Sequence, residues 1–130
     1  MAQLGSAAIE YDGSGLIQPM TITWRSDANG NVRSLFRVEI DAYAISIVTR
    51  PEDGSIPTDL YDIKMIDAFG FDILAGFGAN RSDTDQEDQG LDHEWVSHRP
   101  VRTRSLRFEV RNAGTGGGGI SVIYFTRTPR

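Results

Sequence analysis

Apolar and polar residues alternate with a period of two through most of this 130-residue chain. Successive side chains on a strand point to opposite faces, so each alternating run predicts a half-buried β-strand. "PMTITWRS" (19–26) sets Met20, Ile22 and Trp24 on one face. "RSLFRVEI" (33–40) does the same with Phe36, Val38 and Ile40. Between them lies "DANGN", whose Asn29-Gly30 pair tolerates positive φ and predicts a hairpin turn. "YAISIVT" (43–49), rich in β-branched residues, predicts the next strand.

Two prolines and a glycine make "RPEDGSIPT" (50–58) a loop. "LYDIKMID" (60–67) then alternates Tyr61, Ile63 and Met65 against Asp62 and Lys64. "AFG" turns the chain into "FDILAGFG" (71–78), predicting a second hairpin. A polar stretch, 79–94, reads as loop, and a brief strand is expected within "HEWVSH" (93–98). "SLRFEVRN" (105–112) is the clearest strand, with Leu106, Phe108 and Val110 facing in, and "ISVIYFTR" (120–127) is the last. No apolar pattern of helical period runs for ten residues. The fold class is therefore all-β, an antiparallel β-sandwich of about seven to nine strands, with a jelly roll among its forms. The domain spans 19–130. Residues 1–18 form either an N-terminal arm that orders on a partner or a first strand at "AAIEY" (7–11).

Five of the six residues 114–119 are glycine. A phosphate-binding P-loop would need Lys and Ser or Thr after the last glycine and then a helix. Here Ile120, Val122 and Tyr124 follow on strand spacing, so the run predicts a hairpin loop between the last two strands.

Composition narrows the function. Without cysteine there are no disulfides, thiol nucleophiles or thiolate metal sites. No apolar window is long enough to cross a bilayer, and the start shows no basic-then-apolar leader, so folding in the cytosol is expected. The net charge of −5 disfavours nucleic acid.

The charge is unevenly placed. Residues 99–130 carry seven arginines (Arg99, Arg102, Arg104, Arg107, Arg111, Arg127, Arg130) against Glu109 alone. Codon bias in a GC-rich genome would also explain the preference for arginine. Arginine forks onto carboxylates, so Arg102, Arg104, Arg107 and Arg111 read as a basic stripe. It would pair with the acidic loop 82–94 of a neighbouring copy (Asp83, Asp85, Glu87, Asp88), with another acidic protein, or within its own chain.

Candidate chemistry is thin. "DTDQED" resembles the opening of a calcium loop, but counted from Asp83 the sixth position is Asp88 where glycine is wanted, although Glu94 fits the twelfth. A solvated acidic loop is the plainer reading. His93 and His98, five apart, would face opposite sides of a strand and so share no metal. No nucleophile elbow is present, and no cofactor is expected. Trp24, Trp95, Tyr43 and Tyr61 could stack on sugar rings, which keeps a carbohydrate-binding module as a rival reading.

Three segments, "ITWRSDANGNV", "GSIPTDLYDIKMIDAFGFDIL" and "LRFEVRNAGTGGGGISVIYFTR", together resemble small β-rich structural proteins of tailed bacteriophages. The resemblance implies a non-enzymatic virion protein made in the host cytoplasm. Its first form is a capsid cement or decoration protein, a homo-oligomer binding the major capsid protein. Its second is a tail, head–tail connector or fibre-attachment component. Nucleic acid and membrane are not implied as partners, and no contact residue is transferred.

Overall fold

The computed structural model describes residues 5–91 and 100–127. They form an all-β fold of nine strands: β1 (Ser6–Tyr11), β2 (Ile17–Arg25), β3 (Val32–Phe36), β4 (Ile40–Pro51), β5 (Asp62–Asp67), β6 (Glu87–Gly90), β7 (Val101–Thr103), β8 (Leu106–Arg111) and β9 (Gly118–Thr126). Every pairing is antiparallel. The larger sheet runs β1-β2-β9-β4-β6, with β7 paired to the start of β4, and the smaller runs β3-β8-β5.

Alternation decides what meets between the sheets. Met20, Ile22, Trp24, Ile47, Ile123 and Phe125 of the larger sheet and Ile63, Met65, Phe108 and Val110 of the smaller are all fully or almost fully buried. Each such apolar side chain is worth about 1.5–3 kcal/mol relative to leaving it in water. In β3 the expected parity holds: Val32 is buried and Phe36 half-buried, while Arg33 and Leu35 face out. The strand stops at Phe36, however, and Ile40 already belongs to β4.

Two expected hairpins are replaced by other connections, and the third turns back on β5 through a single antiparallel bridge, Ile66 to Asp72, without a full second strand. "DANGN" does turn the chain: the Asp27 carboxylate accepts from the amides of Asn29 (2.8 Å) and Asn31 (3.0 Å), and Gly30 sits at φ 81°. Yet β2 and β3 lie in different sheets, so the turn is an arch between layers. The glycine run is a second arch, carrying the chain from β8 in the small sheet to β9 in the large one. The two arches are stitched together. Ala113 N–H donates to Gly30 O (3.0 Å), Ser26 Oγ to Gly114 O (2.6 Å) and Thr115 Oγ1 to Ala28 O (2.9 Å). A Cβ on Gly117 would stand 2.4 Å from Ala113 O and 2.7 Å from Pro57 Cα, so backbone contact, not hairpin geometry, demands glycine there.

The third departure is "FDILAGFG". It is a run of turns, because the Asp72 carboxylate accepts from the amides of Met65, Leu74 and Gly76 and curls the chain around itself. Ile73 and Leu74 anchor it in the core. The polar stretch 79–94 contains a strand that alternation did not signal, β6, which pairs with β4 beside the buried Leu91. The strand expected in 93–98 lies outside the described residues. Residues 6–11 are β1, paired along β2.

Candidate protein interaction surface

The four arginines predicted as one stripe occupy two places. β7 ends at Thr103 and β8 begins at Leu106 in the other sheet, so the face shared by Arg102 and Arg104 does not continue to Arg107 and Arg111. Arg107 and Arg111 lie on the outer face of the small sheet, where they converge with Arg33 on one carboxylate. Arg107 Nε is 2.6 Å from Glu109 Oε2, Arg33 Nε 3.9 Å from the same oxygen, and Arg111 Nη2 3.9 Å from Oε1. The Glu109 side chain is only 10% exposed. These two arginines therefore take the intramolecular option.

Arg102 and Arg104 lie elsewhere, at a depression of about 420 Å³ lined by Glu39, Ile40, Asp41, Ala68, Phe69, Arg102, Thr103 and Arg104. Arg102 Nε meets Asp41 Oδ1 at 3.3 Å, with both side chains more than 70% exposed. An ion pair so wet contributes little to stability. Arg104, just past the end of β7, is exposed and has no ion pair among the described residues. Phe69 stands at the tip of the turn after β5, 82% exposed. The turn holds it there: Asp67 Oδ1 accepts from the amides of Phe69 (2.9 Å) and Phe71 (3.0 Å), and Thr103 Oγ1 accepts from Ala68 N–H (3.2 Å). Thr103 is itself buried, so the rim carrying Phe69 is fastened to the strand carrying Arg102.

An exposed aromatic ring beside two arginines has the composition of an interface hot spot. The ring supplies apolar area at little entropic cost, and the guanidiniums can fork onto a partner's carboxylates. Glu39 and Asp41, the latter already paired with Arg102, also line the depression and would orient that partner by charge. Phe69 was missed in the sequence because the aromatic of "AFG" reads as punctuation in a turn.

A larger depression, about 640 Å³, lies on the outer face of the large sheet over Ala8, Thr23 and Ile120. Four charges line it, of which Arg25 and Glu52 meet at 2.9 Å while Arg50 and Asp53 are exposed, and it holds no exposed aromatic.

The acidic residues are dispersed. The Glu87 carboxylate accepts from Ser82 N–H and lies 3.7 Å from Arg81. Asp88 is exposed on β6, and Asp83 and Asp85 are held by backbone bonds to Asp59 Oδ1 and Ser82 Oγ. Among the described residues, no group of three or more His, Cys, Asp or Glu is placed to hold a metal ion. His93 and His98 lie outside them. None of the predicted arginines pairs with Asp83, Asp85, Glu87 or Asp88 of its own chain.

Two residues considered for sugar stacking are core. Trp24 is 2% exposed and Tyr61 fully buried, and they pack on each other with ring centroids 5.4 Å apart. Burial pushes the Tyr61 phenol above its ordinary value, a shift opposed by its hydrogen bond with Thr49 and by the nearby Arg81. Tyr43 is half-buried and Trp95 lies outside the described residues. Compared with known protein families, curated proteins and solved structures, the chain matches none.

Proposed function

We propose that this chain is a non-enzymatic structural protein of a tailed-bacteriophage virion, a cement protein that seats on the shell of major capsid protein. The observation that carries the reading is the Phe69–Arg102–Arg104 patch, an aromatic and two cations displayed on a rigid sandwich. Such a patch suits repeated docking on identical sites, where modest single contacts gain through number. The three segments shared in style with phage virion proteins supply the context. With Trp24 and Tyr61 buried, the sugar-binding reading loses two of its four platforms.

A tail, connector or fibre-attachment role would use the same surface chemistry, and copy number separates the two. Purified particles would be resolved on denaturing gels and the band for this chain quantified against the major capsid protein. Copies in the hundreds support the shell, and about a dozen or fewer support the tail or connector. Absence of the chain from particles would overturn the virion reading.

A further inference from the structure

We infer that β1 is a docking edge for a second copy of this chain, pairing antiparallel with the partner's β1 about a two-fold axis. The inference stands independently of the virion reading.

The edges of the sandwich are treated unequally. The far side of β5 is occupied by the turn-rich segment after it: Ile73 N–H donates to Met65 O, Ile63 N–H to Gly78 O, and Arg81 N–H to Tyr61 O. β4 is lined by β6 and β7. β6, the short strand at that border, carries two acids in four residues. β1 and β3 have nothing hydrogen-bonded along their far sides among the described residues, although the two strands come close to each other where Gly5 stands against Asn31 and Val32. β3 is guarded by Arg33, part of the Glu109 cluster. β1, "SAAIEY", has no proline, lysine or bulge, the usual guards of a free edge.

Its pairing parity is set by the β1–β2 ladder. Asp12 N–H donates to Pro19 O, so in this register the even-numbered residues 6, 8 and 10 bond to β2. The N–H and C=O groups of Ala7, Ile9 and Tyr11 therefore point off the edge. The side chains of these same residues turn into the sandwich, yet all three are only half-buried against the core. The edge thus offers unpaired backbone groups together with apolar surface that a further strand would cover.

A second β1 fits this edge in one register in particular. With Ile9 opposite the partner's Ile9, small Ala7 lies opposite the partner's bulky Tyr11, and the free backbone groups of residues 7, 9 and 11 meet their counterparts. On the outer face, Ala8 lies opposite the partner's Glu10, so the strand's single charge faces no like charge.

The test uses the isolated chain in solution, so its outcome is separate from the copy-number measurement on particles. Sedimentation equilibrium should show a dimer. Ala8→Glu places like charges opposite each other twice by symmetry and should raise the dissociation constant roughly tenfold. Adding Glu10→Lys to that variant should restore the dimer, because the two changes turn each repulsive pair into an attractive one. Ala8 is exposed, and circular dichroism would confirm that the fold is retained. On the unmodified chain, amide exchange at Ala7, Ile9 and Tyr11 should slow as concentration rises. A monomer at every concentration, a dimer indifferent to Ala8→Glu, failure of the double variant to recover, or odd-numbered amides that exchange equally fast at all concentrations would each overturn the inference.

Discussion

Replacing Arg81 by methionine should cost about 3 kcal/mol of stability. Arg81 is the most deeply buried cation described, its side chain 5% exposed between β4 and the turns after β5. Its Nε donates to Thr49 Oγ1 at 2.9 Å and its Nη1 to Phe77 O at 3.1 Å, while the Glu87 carboxylate lies 3.7 Å away. Methionine keeps much of the packing of the aliphatic stem and deletes the guanidinium. A hydrogen bond from a charged donor is worth about 1.5–3 kcal/mol, and two are lost. The desolvation cost of the buried cation is recovered, which offsets part of that loss. Glu87 is 38% exposed, so water replaces much of its pairing and it adds little. The net of about 3 kcal/mol corresponds to a fall of roughly 10 °C in the melting temperature of a domain this size. Urea unfolding followed by fluorescence of the buried Trp24 would measure it, with an unchanged m-value showing that the same surface unfolds. A double-mutant cycle with Thr49→Val isolates the Arg81–Thr49 bond and should return a coupling of about 1 kcal/mol or more. A change within about 0.5 kcal/mol for Arg81→Met, with m unaltered, would refute the reasoning, because it would mean that the buried bonds only repay the cost of burying the charge.

Three further outcomes are expected. Phe69→Ala should leave the melting temperature nearly unchanged, since the ring is 82% exposed, yet weaken binding to isolated capsid shells about thirtyfold in a co-sedimentation assay; unchanged binding would remove the patch from the interface. The Tyr61 phenol is held protonated by burial while the unfolded chain ionises near 10.0, so the folded state binds more protons above that pH and stability should fall as pH rises past it; Tyr61→Phe should lessen the alkaline loss in urea midpoints taken at about pH 9 and pH 11. Gly117→Ala should destabilise by about 1–3 kcal/mol because its Cβ meets backbone of residues 57 and 113, whereas Gly54→Ala, with nothing within 4 Å, should be near neutral in the same thermal melts.

Strand identity was legible in the longer alternating runs, though not in the three-residue β7. Met20–Ile22–Trp24, Tyr61–Ile63–Met65 and Leu106–Phe108–Val110 all lie on the inner face their alternation assigns. Connections were not legible in the same way. Asn29-Gly30 specifies a turn of the backbone, but whether the strand leaving it rejoins its own sheet or crosses to the other depends on which neighbours are already taken. β2 is flanked by β1 and β9, so β3 has no free side to join. β6 escaped notice because "EDQG" has no apolar period: β4 supplies its hydrogen-bonding edge and Leu91 its anchor. The arginines were visible as a cluster in sequence, yet the break between Thr103 and Leu106 puts them on different sheets.

Local chemistry along the chain thus settled the all-β class, the inward faces and the places where the backbone bends, because period-two burial and turn-forming side chains act over a few residues. Tertiary structure alone decided which strands became neighbours, that the glycine run is an arch packed against another backbone, and that Phe69 stands beside Arg102 and Arg104. Those are contacts between segments tens of residues apart. They depend on how the two layers share one core and on which edges remain free, and neither quantity is carried by any single window of sequence.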